Sequence, residues 1–353
     1  ICILVISLLL PGCGRGAVVE EEEEGEVAPE LQAEGNVLVI ISTADSGSGT
    51  LRQALLDAQS GDTITFEPMV FPPTSPATIY VSSELPSISQ GYLTIDASDT
   101  GVILDGTNAQ GEWVVGIPIH SDNNTIQGLQ IVNFSGAGIQ LCGQRNTIGG
   151  DRSSGNGPIG QANLLSGNAD GIGIEGASAV HNQISGNLIG TNVTGKGAWG
   201  NQNPGIFIQD GANSNIIGPD NIIAYNQFAI DIRDPDSFGN TITQNSIHDN
   251  GVAGIWMQKG ANNGVLAPTI FDFDLASGTL AGAAAPNSIV EIFSDSKNEG
   301  EIYEGQAKAD GTGAFTFNKG SSFTGPYLTA TVTDSGGNTS MFSVPTSGTG
   351  KSL

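Results

Sequence analysis

A short hydrophobic pattern recurs along the middle of the chain and predicts its architecture. Each copy reads Gly or Ala, then Ile, any residue, an aliphatic residue or Met, and any residue. The copies begin 22 to 34 residues apart, at Gly116–His120, Gly138–Cys142, Gly171–Glu175, Gly205–Gln209, Ala229–Arg233 and Gly254–Gln258. Apolar residues at every second position are typical of a strand with one buried face. A repeat of roughly 20–50 residues is typical of a solenoid, so the pattern predicts a stack of β coils.

Asparagines divide the coils in two further patterns. One set closes successive coils just before the next strand begins, at Asn124, Asn146, Asn182, Asn215, Asn240 and Asn263. A second pattern, Asn-x-Leu/Ile-x-x-Asn, spans Asn163–Asn168, Asn187–Asn192, Asn221–Asn226 and Asn245–Asn250. Asparagine tolerates the left-handed backbone of a tight bend, and stacked amides can hydrogen-bond from coil to coil. Each coil is therefore predicted to contain three short strands separated by Asn bends.

With these repeats, the chain resembles the right-handed parallel β-helix proteins, a large group that includes pectate-lyase-like enzymes and many bacterial surface proteins. The resemblance covers residues 36–265 and implies an all-β solenoid of that kind. Runs of β-branched residues, with Gly and Asn every few positions, argue against a helical solenoid. The repeat indicates a fold and does not indicate an activity.

Both ends of the solenoid are predicted to be covered, because an open end exposes unpaired strands and core. Leu51, Ala54, Leu55 and Ala58 form one apolar helical face, which predicts an N-terminal capping helix. Its segment, from Asp45, also resembles the opening segment of many secreted bacterial β-helix proteins, and Arg52 is interpreted as a surface residue of this cap. Residues 266–346 contain short alternating runs separated by turns, which predict an Ig-like β-sandwich or a simple C-terminal cap. Residues 347–353 are expected to be a tail.

The N-terminal 35 residues have a different composition. Residues 1–12 are largely apolar and are interpreted as a signal peptide, and the Leu10–Cys13 string resembles a bacterial lipobox. Cys13 is therefore the predicted lipidation site, with an ordinary cleaved signal peptide as the alternative. Residues 13–35 include five consecutive glutamates and are interpreted as an extended acidic tether. These features predict a lipid-anchored protein of the bacterial cell envelope, attached to the membrane through the lipid alone.

The charge and cysteine content limit the possible partners. The formal net charge of −25 argues against nucleic acid as a partner. The three cysteines, Cys2, Cys13 and Cys142, give no disulfide framework, and we expect a monomer.

Two columns of residues are predicted to face solvent along the Gly-Ile-x-Ile-x strands, because the aliphatic positions between them point inward. The columns are Pro118, Gln140, Gly173, Phe207, Asp231 and Trp256, and His120, Cys142, Glu175, Gln209, Arg233 and Gln258. Asp231 is expected to lie between Phe207 and Trp256. Aromatic rings that flank a carboxylate and amides suit a sugar ring, so Phe207, Trp256, Gln209, Gln258 and the loop residue Trp199 are candidate ligand-binding residues. The alternative is that these aromatic residues only pack against neighbouring segments.

A catalytic hypothesis stays open beside the binding hypothesis. Asp231, Arg233 and Glu175 are the candidate catalytic residues, with the two carboxylates about 9.6 Å apart along the axis, at the far edge of the spacing for an inverting glycosidase. The sequence lacks the Asn-Thr-Asp and Asp-Asp pairs of polygalacturonases. A pectate-lyase-like site needs several acidic calcium ligands and a cationic base, and the sequence offers only an incomplete set, Arg233 beside Asp231 and Asp234. No cofactor is predicted, calcium excepted as a possibility, and His120 beside Cys142 does not make a zinc site.

The sequence thus favours a surface protein that binds an extracellular polysaccharide or a surface protein, as a binding protein or adhesin. The alternatives are a polysaccharide lyase or glycoside hydrolase that acts on an extracellular polysaccharide, and a structural spacer without a site.

Overall fold

The computed structural model describes residues 35–347. The predicted signal peptide, the lipidation site Cys13, nearly all of the acidic tether and the tail lie outside the described residues. No helix within residues 35–347 is long and apolar enough to cross a membrane.

Three parallel sheets form the body of the protein, and the chain visits them in turn as it winds. Sheet A has eight strands: β1 Val37–Ile40, β2 Thr63–Phe66, β4 Thr94–Asp96, β7 Thr125–Gln127, β10 Thr147–Gly149, β13 Gln183–Ser185, β16 Ile216–Ile217 and β19 Thr241–Ile242. Sheet B has seven: β3 Ala77–Tyr80, β5 Val102–Asp105, β8 Leu129–Val132, β11 Leu164–Ser166, β14 Leu188–Ile189, β17 Ile222–Ala224 and β20 Ser246–His248. Sheet C has six: β6 Ile117–Ile119, β9 Ala137–Leu141, β12 Asp170–Glu175, β15 Ile206–Gln209, β18 Phe228–Ile232 and β21 Ala253–Met257. The predicted right-handed parallel β-helix, with three strands in each regular coil, is confirmed.

Stacked aliphatic side chains fill the interior. The register places Ile172 beside Ile206 and Ile206 beside Ile230, so equivalent positions lie above one another along the axis. These side chains are fully buried in one continuous core that runs the length of the solenoid. Burial of aliphatic side chains from all three sheets is the main stabilising contribution to such a fold.

Asparagine ladders line three bends, as the spacing predicts. In the first ladder, Asn146 accepts hydrogen bonds from Asn124, and Asn182 accepts them from Asn146, through side-chain oxygens 2.8–3.0 Å away. Two predicted members are wrong. The first ladder ends at Asn262, which accepts from the backbone of Asn240, in place of Asn263. Asn201 replaces Asn192, because an inserted loop separates Asn192 from the bend and Asn201 completes the hydrogen bonds to the next coil.

A short helix covers the N-terminal end. Helix α1, Leu51–Asp57, begins at Thr50, whose side chain accepts a hydrogen bond from the backbone of Gln53 at 3.3 Å. Its apolar face joins the solenoid core, which confirms the predicted capping helix. Arg52 binds Asp45 and the carbonyl oxygens of nearby loop residues, so it holds the cap together.

The C-terminal residues form two small antiparallel sheets that share one core. One sheet contains β22 Thr269–Asp274, β23 Thr279–Ala283 and β26 Ala314–Asn318; the other contains β24 Ile289–Asp295, β25 Ile302–Lys308, β27 Tyr327–Thr333 and β28 Thr346–Ser347. A 3-10 turn at Ala261–Gly264 precedes them. The arrangement is consistent with the predicted Ig-like sandwich.

This C-terminal domain also closes the solenoid, so the two alternatives raised by its sequence hold together. Thr339 and Glu291 accept hydrogen bonds from the backbone N–H groups of Ile242 and Gln244 at 2.9 and 3.0 Å. Gly300 pairs with Ile247 through two backbone hydrogen bonds. The last strands of sheets A and B are thereby capped.

Cys142 differs from the expectation for the folded body. It is disulfide-bonded, whereas the sequence indicated only that the three cysteines give no disulfide framework. The other two cysteines of the chain, Cys2 and Cys13, lie outside the described residues.

Candidate functional site

The two predicted columns both lie on the outer side of sheet C, on strands β6, β9, β12, β15, β18 and β21. We call this surface the sheet C face. The register pairs Phe207 with Asp231 and Asp231 with Trp256, so Asp231 does lie between the two aromatic residues. The periodicity therefore predicted the order of residues on this face. It did not predict their exposure.

Phe207 is buried, with only 3% of its surface exposed, and the prediction that it faces solvent is wrong. Its ring lies over Gly173 on the preceding coil, only 2.5 Å from the place where a Cβ on that glycine would be. The guanidinium carbon of Arg233 lies 4.5 Å from the ring centroid. Because Gly173 has no side chain, the ring can lie flat against the sheet, and it is not free to stack on a sugar.

A continuous chain of hydrogen bonds crosses the sheet C face. Gln140 and Gln209 donate to the two oxygens of Glu175 at 2.8 and 3.0 Å. Arg233 donates from Nη1 to Gln209 at 3.0 Å and from Nε to Asp231 at 2.8 Å. Four successive coils, those of β9, β12, β15 and β18, are thus linked by side chains that hold each other in place.

The two candidate catalytic carboxylates are part of this chain and are buried. Glu175 is 5% exposed and Asp231 is 6% exposed, which corrects the expectation that both face solvent. Both oxygens of Glu175 accept hydrogen bonds, whereas Oδ1 of Asp231 is buried and has no hydrogen-bond partner among the described residues. Their positions, two coils apart in adjacent columns, agree with the predicted spacing.

Asp170 is a titratable residue of this face that the sequence patterns missed. It is 3% exposed, and its Oδ1 has no hydrogen-bond partner within residues 35–347. Burial raises the pKa of Asp170 to about 6, against a partial lowering by Arg233 and with further raising by Glu175 and Asp231. The residue directly before each Gly-Ile-x-Ile copy is apolar in the other coils, at Val115, Ala137, Pro204, Phe228 and Ala253. An acid at this position was the signal available in the sequence.

Trp256 is the exposed aromatic residue of the face, with 44% of its surface accessible. Phe228, on the neighbouring strand, lies beside it with ring centroids 6.0 Å apart and an interplanar angle of 37°. Gln258 directly follows the strand that carries Trp256 and is exposed, and Arg233 is partly exposed on the adjacent coil. The accessible part of the face therefore combines aromatic rings with amide and guanidinium donors.

Trp199 lies at the bend between sheets B and C. It is 40% exposed, and its indole nitrogen lies 2.7 Å from the place where a Cβ on Gly167 would be. Its backbone N–H donates to Gly190 at 3.0 Å, so the tryptophan belongs to the inserted loop that follows β14. The end of the same loop reaches the site, because the side chain of Asn203 hydrogen-bonds to Asp170.

The second column begins with His120 and Cys142, two residue types that can bind metals. His120 is exposed and its Nδ1 lies 3.0 Å from the hydroxyl of Ser87. Within residues 35–347, no group of three or more His, Cys, Asp or Glu side chains is arranged to hold a metal ion.

A comparison with family models agrees with the observed architecture. Residues 115–272 match the family described as the right handed beta helix region. Among solved structures, the chain is similar to pectate lyase Pel9A, at 12% identity over 64% of this chain and 68% of that chain, with a TM-score of 0.35. It is also similar to full-length tailspike protein 2 from Escherichia coli O157:H7 bacteriophage CAB120, at 12% identity over 91% of this chain and 60% of that chain, with a TM-score of 0.23. No curated protein sequence matches the chain.

Proposed function

We propose that the sheet C face binds an extracellular polysaccharide, with the protein acting as a binding protein or adhesin. The observation that carries this proposal is Trp256, an exposed tryptophan beside Phe228 on a rigid β scaffold. The apolar face of a sugar ring stacks on such a surface, and its hydroxyl groups need donors and acceptors at the rim. Gln258, Gln209 and Arg233 are the candidate rim residues, and Trp199 is a more distant candidate.

Binding is favoured over cleavage because the carboxylates have little access to a ligand. A lyase or hydrolase that used Asp231 with Arg233 or Glu175 would need these groups within hydrogen-bonding reach of the substrate. Asp231 and Glu175 are each less than one-tenth exposed and already accept hydrogen bonds from neighbouring side chains. The catalytic alternative therefore requires an opening of the face, and the spacer alternative requires that Trp256 has no ligand.

The test is a binding screen of the full chain against a panel of polysaccharides, with release of reducing ends and of unsaturated products measured on every hit. Trp256→Ala should lower affinity by about tenfold or more, the loss expected for a stacking aromatic residue at a binding hot spot. Tyr80→Ala is the matched control, because Tyr80 is also an exposed aromatic residue but lies on sheet B. Equal losses in both variants, or no binding by the wild type, would refute the proposal. Product release abolished by Asp231→Asn would establish the enzyme instead.

We further propose that the mature chain is anchored in the bacterial cell envelope by a lipid on Cys13 and carries its β-helix beyond the acidic tether as a monomer. The support is the apolar run before Cys13 and the glutamates after it. Metabolic labelling with a fatty acid should label the wild type and leave Cys13→Ser unlabelled. If the sulfur of Cys13 carries the lipid, it cannot form a disulfide with Cys142, which is disulfide-bonded. Intact masses with and without reductant therefore also test the proposed lipid on Cys13. Light scattering of the purified chain tests the monomer.

A further inference from the structure

The charged groups on the sheet C face bear on which polysaccharides it accepts. Arg233 is the cation in the chain of hydrogen bonds that links Gln140, Glu175, Gln209 and Asp231. Its positive charge is already paired with Asp231. Its Nε donates to Asp231 at 2.8 Å and its Nη1 donates to Gln209 at 3.0 Å. One face of its guanidinium lies on the Phe207 ring. The Nη2 group donates to no group in the described residues, so it is available as a donor at the partly exposed edge.

Anionic groups outnumber cations around this donor. Glu175 lies behind Gln209 in the same chain of hydrogen bonds, and Asp170 lies close enough to interact with Asp231 and Arg233. Asp210, Asp234 and Asp236 follow the ends of strands β15 and β18, and Asp234 accepts the backbone N–H of Asp210 at 2.6 Å. Lys259, after β21, is the nearest exposed cation along the chain. The whole chain has 36 acidic and 11 basic residues, so the wider field has the same sign.

These charges set a condition on the ligand. A carboxylate or sulfate at the rim would approach several negative groups, whereas the charge of Arg233 is already neutralised by Asp231. A sugar hydroxyl can accept from Nη2 without bringing a charge to the face. The pairing of Arg233 with Asp231 therefore leaves a donor that suits an uncharged ligand.

We infer that the sheet C face selects polysaccharides without anionic groups, and that Asp231 enforces this selection by neutralising Arg233. This inference rests on the proposed function and names the chemical class of its ligand. It also makes Asp231 a residue that determines specificity without touching the ligand.

The experiment measures affinity of the full chain for neutral polysaccharides (a β-glucan, a galactomannan and a xylan) and for acidic ones (polygalacturonate, alginate and hyaluronate). The wild type should bind at least one neutral member and none of the acidic ones with comparable affinity. In Asp231→Asn, the side chain keeps its shape and Arg233 keeps a charge that is no longer neutralised. The ratio of acidic to neutral affinity should therefore rise by about tenfold, the effect of one new charge-assisted hydrogen bond.

Asp220→Asn is the matched control for the change in net charge. Asp220 is exposed and lies on the short segment between β16 and β17, away from sheet C, so its loss should leave the affinity ratio unchanged. Thermal unfolding of both variants shows whether they fold. If Asp231→Asn does not fold, the salt dependence of polysaccharide binding by the wild type tests the inference instead. Salt screens an attraction between charges and leaves the binding of a neutral ligand unchanged.

The possible outcomes separate the inference from the proposed function. A wild type that prefers acidic polysaccharides, or binding that weakens steeply with salt, overturns the inference and leaves the binding function intact. A neutral preference that Asp231→Asn does not change overturns the role of Asp231. A wild type that binds neither set overturns both.

Discussion

The guanidinium carbon of Arg233 lies 4.5 Å from the centroid of the Phe207 ring, so the cation lies over the aromatic ring of the adjacent coil. The ring is enclosed between this guanidinium and Gly173. The two aromatic residues that flank Asp231 therefore have different roles. Phe207 supports the sheet, and Trp256 is the accessible one.

This difference predicts opposite results for two alanine substitutions. Phe207→Ala should reduce the free energy of unfolding by about 3–5 kcal/mol, because it leaves a cavity under Arg233. Trp256→Ala should change it by less than about 1 kcal/mol, because 44% of the residue's surface is exposed and its removal leaves no enclosed cavity. Urea denaturation of the two variants measures both values. A Trp256→Ala loss as large as that of Phe207→Ala would show that Trp256 is a packing residue.

The asparagine ladders predict a large effect from one buried amide. Asn182 is fully buried; it accepts from Asn146 and donates to Gly143 and to Asn215. Asn182→Ala leaves the backbone N–H of Asn146 and the carbonyl of Gly143 without these partners, at a cost of about 1–3 kcal/mol for each buried group. Thermal unfolding should therefore show a clear loss of stability.

Asn108→Ala is the control for this substitution, because Asn108 is exposed and its side chain makes no hydrogen bond to another residue of the described range 35–347. Its free energy of unfolding should equal that of the wild type to within about 0.5 kcal/mol. A ladder substitution as mild as the control would contradict the role given to the stacked amides.

The sequence predicted the coils and the order of residues on sheet C because both follow from a fixed repeat. Isoleucines at every second position determine which side chains point inward, and equivalent positions then stack. That is why Asp231 was predicted to lie between its two aromatic neighbours. The capping helix was also predictable, since Leu51, Ala54 and Leu55 share one face.

Exposure was not predictable in the same way, because it depends on side chains from other coils. Phe207 is buried because residue 173, 34 positions earlier, is glycine and because Arg233 lies above the ring. Asn201 replaces Asn192 because the repeat alone does not fix which asparagine closes a coil with an insertion. Asp170 is the first residue of strand β12, directly before the Gly-Ile-x-Ile-x copy, so the repeated pattern did not include it.

Asp170 provides a direct electrostatic test of the face. Its pKa is about 6, raised chiefly by burial, and Arg233 and Asp231 act on it with opposite signs. Arg233→Gln should raise the pKa of Asp170 further, because a nearby positive charge is lost. Asp231→Asn should lower it, because a nearby negative charge is lost. Carboxyl carbon NMR titrations of the variants, with the distant Arg152→Gln as control, measure these shifts. Shifts of the same sign in both variants would contradict the arrangement.

The last prediction concerns Glu299, through which the C-terminal domain holds the end of the solenoid. Its Oε2 accepts from the backbone and side chain of Asn250 at 3.1 and 3.4 Å, and its Oε1 is buried without a hydrogen-bond partner in the part of the chain that the structure describes. Burial raises the pKa of Glu299 from 4.5 to about 7; Asn250 and His248 oppose this rise, and Asp295 adds to it. Ionisation is therefore costlier in the folded protein than in the unfolded chain.

The sign of the pH dependence follows from this raised pKa. The contribution of Glu299 to stability is fully present below pH 4.5 and is lost as the pH rises to about 7. The loss is about 3 kcal/mol over that interval.

Because burial also raises the pKa of Glu291, total stability falls for more than one reason, and the difference between variants isolates Glu299. In urea denaturation, the free energy of unfolding of Glu299→Gln minus that of the wild type should be larger at pH 8 than at pH 5. The control is Glu301→Gln, at an exposed residue of the same segment, which should follow the wild type at both pH values. A Glu299→Gln variant that also follows it would show that this carboxylate ionises in the folded protein without the proposed cost.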